Sequence, residues 1–277
     1  MKSFKASDGA KLSFQDTGAG MPVVFLHPTP LDHDYWRPLT EDLAGVRAIV
    51  PDLRGHGSSE LGRNLPVGGF ARVPDAPVLS IEQLADDTLA LLDHLGLAEA
   101  VFAGCSIGGY TLLELWRKAP QRMRGLAFVC SKAQPDAEAN LAKRVANIAQ
   151  VRTEGVGVLM DGMAQLLIGK TARQRRPAIT AELRARMTQG PEAAVAVQAG
   201  LAIRPDSVPT VATIDVPVLA IAGGEDSVVT SAEMEAFNDA PGGCEFHLLP
   251  HAGHFSAYEQ PRKVANLLAE WLRQPEA

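Results

Sequence analysis

The sequence predicts an α/β fold: a mostly parallel central sheet with helices on both faces and a helical lid inserted between two strands. Three observations predict it. Short apolar runs alternate with longer amphipathic ones in strand–helix–strand order, which builds a parallel sheet covered by helices. Several of the short runs are continuously apolar, as strands buried on both faces are. The alternation breaks twice, over 60–79, which reads as a loop, and over 135–210, where only helical periodicity is found.

Taken in order, residues 11–17 alternate apolar and polar, as a half-buried strand does. Residues 22–27 (PVVFLH) read as a buried strand, 33–45 as a helix ending at Gly45, and 46–51 as a further strand. Residues 60–79, with Pro66, Pro74, Pro77 and the pair Gly68–Gly69, read as a long loop. Ser80 is the expected cap of a helix over 81–95, in which Ile81, Leu84, Ala85, Thr88, Leu91, Leu92 and Leu95 form one stripe. Gly96 is suited to close that helix. Strand 100–105, helix 107–119 and strand 125–130 follow. Helices are expected over 136–152, 155–168, 178–189 and 192–203, with Arg173–Arg176 as a solvated helix end. The alternation then resumes with strand 217–222, helix 231–240, strand 244–249 and helix 261–273. The expected organisation is a core of 1–134 and 211–277, with 135–210 lying across the sheet's end as a lid.

The 277 residues carry a net charge of −6, with 46% hydrophobic and 21% charged residues. Such a composition suits a soluble globular chain and lacks the basic face that nucleic acid requires. Three cysteines, Cys105, Cys130 and Cys244, argue against a disulfide framework and for a reducing cytoplasm. The start, Met1-Lys2-Ser3-Phe4-Lys5, has no apolar core that would read as a secretory signal. No apolar run approaches the roughly 20 residues that cross a bilayer, and no cysteine–histidine spacing suggests zinc.

Chemistry concentrates at Gly104-Cys105-Ser106-Ile107-Gly108-Gly109, which matches the G-x-S-x-G nucleophile elbow between a buried strand and an amphipathic helix. A serine hydroxyl needs a neighbouring base to take its proton. His247 lies within strand 244–249, whereas His251 and His254 lie in the loop after it. His254 is the expected base, because Gly253 before it lets the loop turn inward; His251 is expected to order the loop or face solvent. The base needs a carboxylate to fix its tautomer. Asp226, at the carboxyl end of strand 217–222, is the expected acid, and Glu225 a surface or capping carboxylate. The oxyanion would be held by the N–H of Ile107, at the positive end of its helix, and by that of Thr29. Pro28 and Pro30 on either side of Thr29 have no N–H. His27 is expected to be structural, and Trp116 to fill the core. Trp36, Met160 and Met163 are candidate substrate-binding residues in an apolar pocket under the lid.

Together these residues resemble the α/β-hydrolase superfamily over nearly the whole chain, and the overall pattern is similar to its esterase, enol-lactonase and cofactor-free haloperoxidase branches. Asp52-Leu53-Arg54-Gly55-His56-Gly57-Ser58-Ser59 is similar to the family's D-x-R-G-H-G-x-S turn, and Phe25-Leu26-His27 to the strand before its oxyanion loop. Pro28 departs from the glycine usual in that loop. The order serine, acid, histidine agrees with the family. The resemblance implies hydrolysis of a small ester or lactone through an acyl-enzyme, with no cofactor and no metal. The same triad could instead serve perhydrolysis, which Pro30 resembles, or thioester or C–C bond hydrolysis. A ligand receptor of the same fold would not need it.

Overall fold

The computed structural model describes residues 1–273. An eight-stranded sheet runs β1 (Lys2–Lys5), β2 (Lys11–Gly18), β3 (Met21–Leu26), β4 (Val46–Pro51), β5 (Ala100–Cys105), β6 (Met123–Val129), β7 (Val218–Gly223) and β8 (Cys244–Leu249), in the spatial order β1-β2-β4-β3-β5-β6-β7-β8. From β4 to β8 every pairing is parallel, while β1–β2 and β2–β4 are antiparallel. The expected mostly parallel sheet is therefore present. β1 was not anticipated, because it is a four-residue edge strand in which only Phe4 is buried.

The helices are α1 (Arg37–Thr40), α2 (Ile81–His94), α3 (Ile107–Lys118), α4 (Glu138–Glu154), α5 (Val156–Leu166), α6 (Lys170–Arg175), α7 (Ile179–Arg186), α8 (Pro191–Ala202), α9 (Val208–Val211), α10 (Ser231–Met234), α11 (Ser256–Glu259) and α12 (Pro261–Trp271). Ser80 caps α2 through the Gln83 amide, and Gly96 just beyond takes φ 65°. The single helix expected over 33–45 is instead a 3-10 turn, His33–Tyr35, followed by α1. Pro38 has no N–H and is at home only in a helix's first turn, so a new helix starts at Arg37. Residues 231–240 likewise divide into α10 and a 3-10 turn, Glu235–Asp239. Among the described residues no helix is long and apolar enough to cross a membrane.

Alternate strand side chains enter two separate cores, the period-2 consequence of a sheet covered on both faces. Phe25, Ala103, Val129 and Ile221 pack with α1 and α12. Leu26, Phe102, Phe128 and Ala220 pack with α2 and α3, where Trp116 is buried and donates its indole N–H to Thr213 Oγ1 at 3.0 Å. Helices α4–α9 all lie between β6 and β7, as expected of the inserted block. The block adds Ile148, Leu159 and Met160 to the first core and Ala196, Val197 and Leu201 to the second.

The block docks closely. Leu79 N–H donates to Ala196 O at 3.0 Å, and a Cβ on Gly200 of α8 would lie inside the Leu79 carbonyl. Gly200→Ala should therefore destabilise the protein by about 1–3 kcal/mol, the usual cost of overpacking. Chemical denaturation checks this; an unchanged midpoint would mean that α8 is loosely seated.

Candidate active site

The strand registers bring the carboxyl ends together. Leu26 pairs with Gly104, Cys105 with Val129, Val129 with Ile221, and Gly223 with Leu249. The segments that follow these ends hold Thr29, Ser106, Asp226 and His254. Such a crevice, where β4 and β5 leave β3 on opposite sides, is where open α/β sheets place ligands.

Ser106 sits between β5 and α3 at φ 53° and ψ −116°, a conformation that side-chain-bearing residues avoid. Its N–H donates to Val129 O at 3.2 Å, and its carbonyl accepts from Tyr110 N at 3.0 Å and Ser131 Oγ at 3.0 Å. Gly104 and Gly108 allow the close approach: a Cβ on Gly104 would stand 2.5 Å from the Gly108 carbonyl carbon, and one on Gly108 would overlap the Leu26 carbonyl oxygen. That contact sets the start of α3 against the loop carrying Thr29.

Thr29 is buried, its peptide to Pro30 is cis, and Leu31 N–H donates to Pro28 O at 3.1 Å. The amides of Thr29 and Ile107 are not used by any acceptor among the described residues. The Thr29 hydroxyl lies 3.0 Å from His56 Nε2, which also meets Gln189 Nε2 at 2.9 Å, while His56 Nδ1 faces Arg54 O at 3.0 Å. A carbonyl only accepts, so Nδ1 carries the proton, and Nε2 accepts from Thr29 and Gln189. Burial holds the His56 pKa down to about 3. His27 is structural, as expected: Leu53 N–H donates to its Nε2 at 2.9 Å, and burial lowers its pKa to about 4.

His254 Nδ1 lies 2.7 Å from Asp226 Oδ2, and both side chains are buried. Asp226 Oδ1 accepts from Val228 N at 2.8 Å and Val229 N at 3.0 Å, which fixes the carboxylate's orientation. The histidine loop is held from three directions. Leu167 O receives the N–H of His254 at 3.0 Å and of Phe255 at 3.3 Å. Cys105 Sγ and Cys130 Sγ approach the carbonyls of His254 and Gly253. Glu259 Oε2 accepts from Gly253 N at 2.8 Å and Gly169 N at 3.2 Å. Burial raises the pKa of Glu259, and its Oε1 has no partner among the described residues.

Glu225 is a capping carboxylate rather than a surface one. Its side chain is mostly buried and accepts from Thr171 N at 2.8 Å and Thr171 Oγ1 at 2.5 Å, at the start of α6. His251 faces solvent, and His247 lies in β8. Cys105 is buried beside the serine, and burial pushes its thiol well up, which disfavours the thiolate form. Cys130 was expected as a strand residue; the strand ends at Val129 and Cys130 turns to φ 43°. Of the candidate substrate-binding residues, Met163 lines a cavity that Tyr110, Leu167 and Val228 also line. Trp36 and Met160 are instead packing residues: Met160 is buried in the first core, and Trp36 is fully buried against Phe25 and Tyr35. Glu259 and the His56–Gln189 contact had no sequence signal beyond His56's place in its motif, because their partners are backbone amides or distant residues.

Residues 23–267 match the profile of a family described as the alpha/beta hydrolase family. The 3-oxoadipate enol-lactonase 2 of Acinetobacter baylyi is 30% identical over 77% of this chain and 74% of its own. A thermophilic esterase from Thermogutta terrifontis, solved with malate bound, superposes over the whole of both chains with a TM-score of 0.89 and 33% identity. The enol-lactonase from Burkholderia xenovorans LB400 superposes with a TM-score of 0.85 and 25% identity, covering 99% of this chain and 100% of that one.

The buried His27 and His56 give the fold a pH dependence. Their folded pKa values, about 4 and about 3, lie below the ordinary 6.5. The unfolded chain takes up protons below pH 6.5 that the folded chain refuses, so stability is full above 6.5 and falls as pH drops towards 4. Each histidine contributes a slope of about 1.4 kcal/mol per pH unit in that window. A His56→Asn variant should show a shallower fall of Tm between pH 6.5 and 4 than the parent. Parallel curves would show that His56 is not buried neutral.

Proposed function

The chain belongs to the alpha/beta hydrolase family, and its esterase and enol-lactonase relatives make it an ester-hydrolysing enzyme; we propose that it cleaves a small carboxylic ester or lactone through an acyl-enzyme on Ser106. The observation that carries this reading is the buried 2.7 Å contact of His254 Nδ1 with Asp226 Oδ2, in a loop bonded to the strand end that bears Ser106.

Ser106 Oγ attacks the carbonyl carbon as His254 Nε2 takes its proton. The Nδ1–H to Asp226 fixes the tautomer that leaves Nε2 free to accept, and the carboxylate stabilises the imidazolium. The amides of Ile107 and Thr29 receive the developing oxyanion. His254 then gives its proton to the leaving oxygen, and water repeats the sequence to release the acid. The Ser106 hydroxyl makes no hydrogen bond among the described residues. Its alignment with His254 would tighten when substrate binds, as catalytic contacts commonly do.

The test is turnover of p-nitrophenyl acetate to octanoate by the parent, Ser106→Ala and His254→Ala proteins. Both substitutions should lower kcat by about 10⁴–10⁶, with folding intact by circular dichroism. Activity that survives Ser106→Ala rejects the assignment. Asp226→Asn should lower kcat about 10⁴-fold with little change in KM, because the amide favours the wrong tautomer.

A further inference from the structure

A cavity of about 150 Å³ is lined by residues bonded to the proposed triad. Its wall includes a direct partner of each triad residue. Tyr110 N donates to Ser106 O, Leu167 O receives the His254 amide, and Val228 N donates to Asp226 Oδ1. Near these residues the wall is apolar, with Met163 and Leu166.

Elsewhere the wall is formed by α4, and it is polar. Asn140, Lys143, Arg144 and Asn147 line the cavity at the i, i+3, i+4, i+7 spacing that marks one face of a helix. A helix that covers a core normally presents an apolar stripe there. Internal pairing accounts for only part of the stripe: Asn147 Nδ2 donates to Gln198 Oε1 at 3.0 Å, while Lys143 and one edge of Arg144 are left over. Asp136 is shared between two guanidiniums: its Oδ2 accepts from Arg144 Nε at 3.0 Å, and its Oδ1 from Arg204 Nη1 at 2.6 Å. Arg144 Nη1 donates to Gln198 Oε1 at 3.1 Å, and Nη2 has no acceptor among the described residues. Lys132 pairs with Glu233 at 2.5 Å, and Lys143 is exposed without an ion pair among the described residues. The wall thus carries three cations, Lys132, Lys143 and Arg144, against one carboxylate, Asp136, while Glu233 pairs with Lys132 from outside the lining and Asp226 is engaged by His254.

A cavity apolar at the reacting end and positive at the far end fits a chain that ends in an anion. We infer that the substrate carries a carboxylate on the short chain entering this cavity, held by Arg144, Lys143 and Asn147. This rests on the esterase reading and names its substrate class. Arg144 is suited to the task because its remaining N–H groups present a fork to a carboxylate.

The experiment compares monoethyl glutarate with ethyl pentanoate, which have equal acyl chains with and without the distal carboxylate, by pH-stat. The parent should prefer the acid by about tenfold or more in kcat/KM, the worth of a hydrogen bond to a charged group. Arg144→Met should erase that ratio. Because Arg144 also pairs with Asp136 and its loss could unsettle the fold, Lys143→Glu, on an exposed side chain, provides a second arm and should lower the ratio as well. Calorimetry on the Ser106→Ala protein reads glutarate binding without turnover, with glutaramide as the neutral control. A parent that prefers ethyl pentanoate, or a ratio untouched by Lys143→Glu and Arg144→Met, overturns the inference while leaving the esterase reading standing. Glutarate binding without turnover of either ester keeps the anion site and rejects the esterase reading. Absence of glutarate binding together with equal turnover of both esters rejects the site.

Discussion

The backbone of Ser106, held at φ 53° and ψ −116°, is the constraint on which the rest of the site depends. Such a conformation costs about 1–3 kcal/mol and persists only where its surroundings over-determine it. Here they do. β6 supplies an acceptor for the Ser106 amide, Ser131 and Tyr110 donate to its carbonyl, and β3 presses its last carbonyl against Gly108. Strain at the serine therefore follows from the strand order, because β3 and β6 must flank β5 for these contacts to exist. The same turn points the Ile107 amide out of the start of α3, where the helix favours negative charge.

A second constraint ties the histidine loop to the helical block. Leu167 at the end of α5 receives two amides of the loop, Glu259 bridges Gly253 to Gly169, and Glu225 caps α6. On the other side of the crevice Gln189, between α7 and α8, meets His56, whose ring also holds the Thr29 hydroxyl. The block is thus bonded to neighbours of both the proposed base and the proposed oxyanion loop. Any movement of α5–α8 would be felt at the proposed site through these few contacts, so the position of the helical block and the geometry of the proposed triad are one problem rather than two.

Much of this was legible in the sequence. The buried strands announced themselves by continuous apolar runs, and Ser80 and Gly96 bounded α2 through local rules. The elbow, Asp226 and His254 were readable because each sits at a strand end with glycine beside it. What escaped was set by tertiary contact. Pro38 broke a helix that periodicity alone would continue, and α6 is too short to show a period. Glu259 works through backbone amides 6 and 90 residues away, which no spacing reveals. Cys130 read as a strand residue because its φ of 43° is imposed by packing at the end of β6. Trp36 and Met160 were readable as apolar, but apolar character does not distinguish a pocket wall from a core. The polar stripe on α4 gains meaning only once these residues are known to line a cavity.

The most direct test of the central claim is peptide mapping by mass spectrometry after acid quench of the protein turning over p-nitrophenyl acetate. The account predicts one acetyl group on the peptide carrying Cys105 and Ser106, with fragmentation placing it on Ser106, and none on the Ser106→Ala protein. Acetylation at Cys105 or at a histidine as the sole adduct, or steady turnover with no adduct that can be trapped on Ser106, would contradict it.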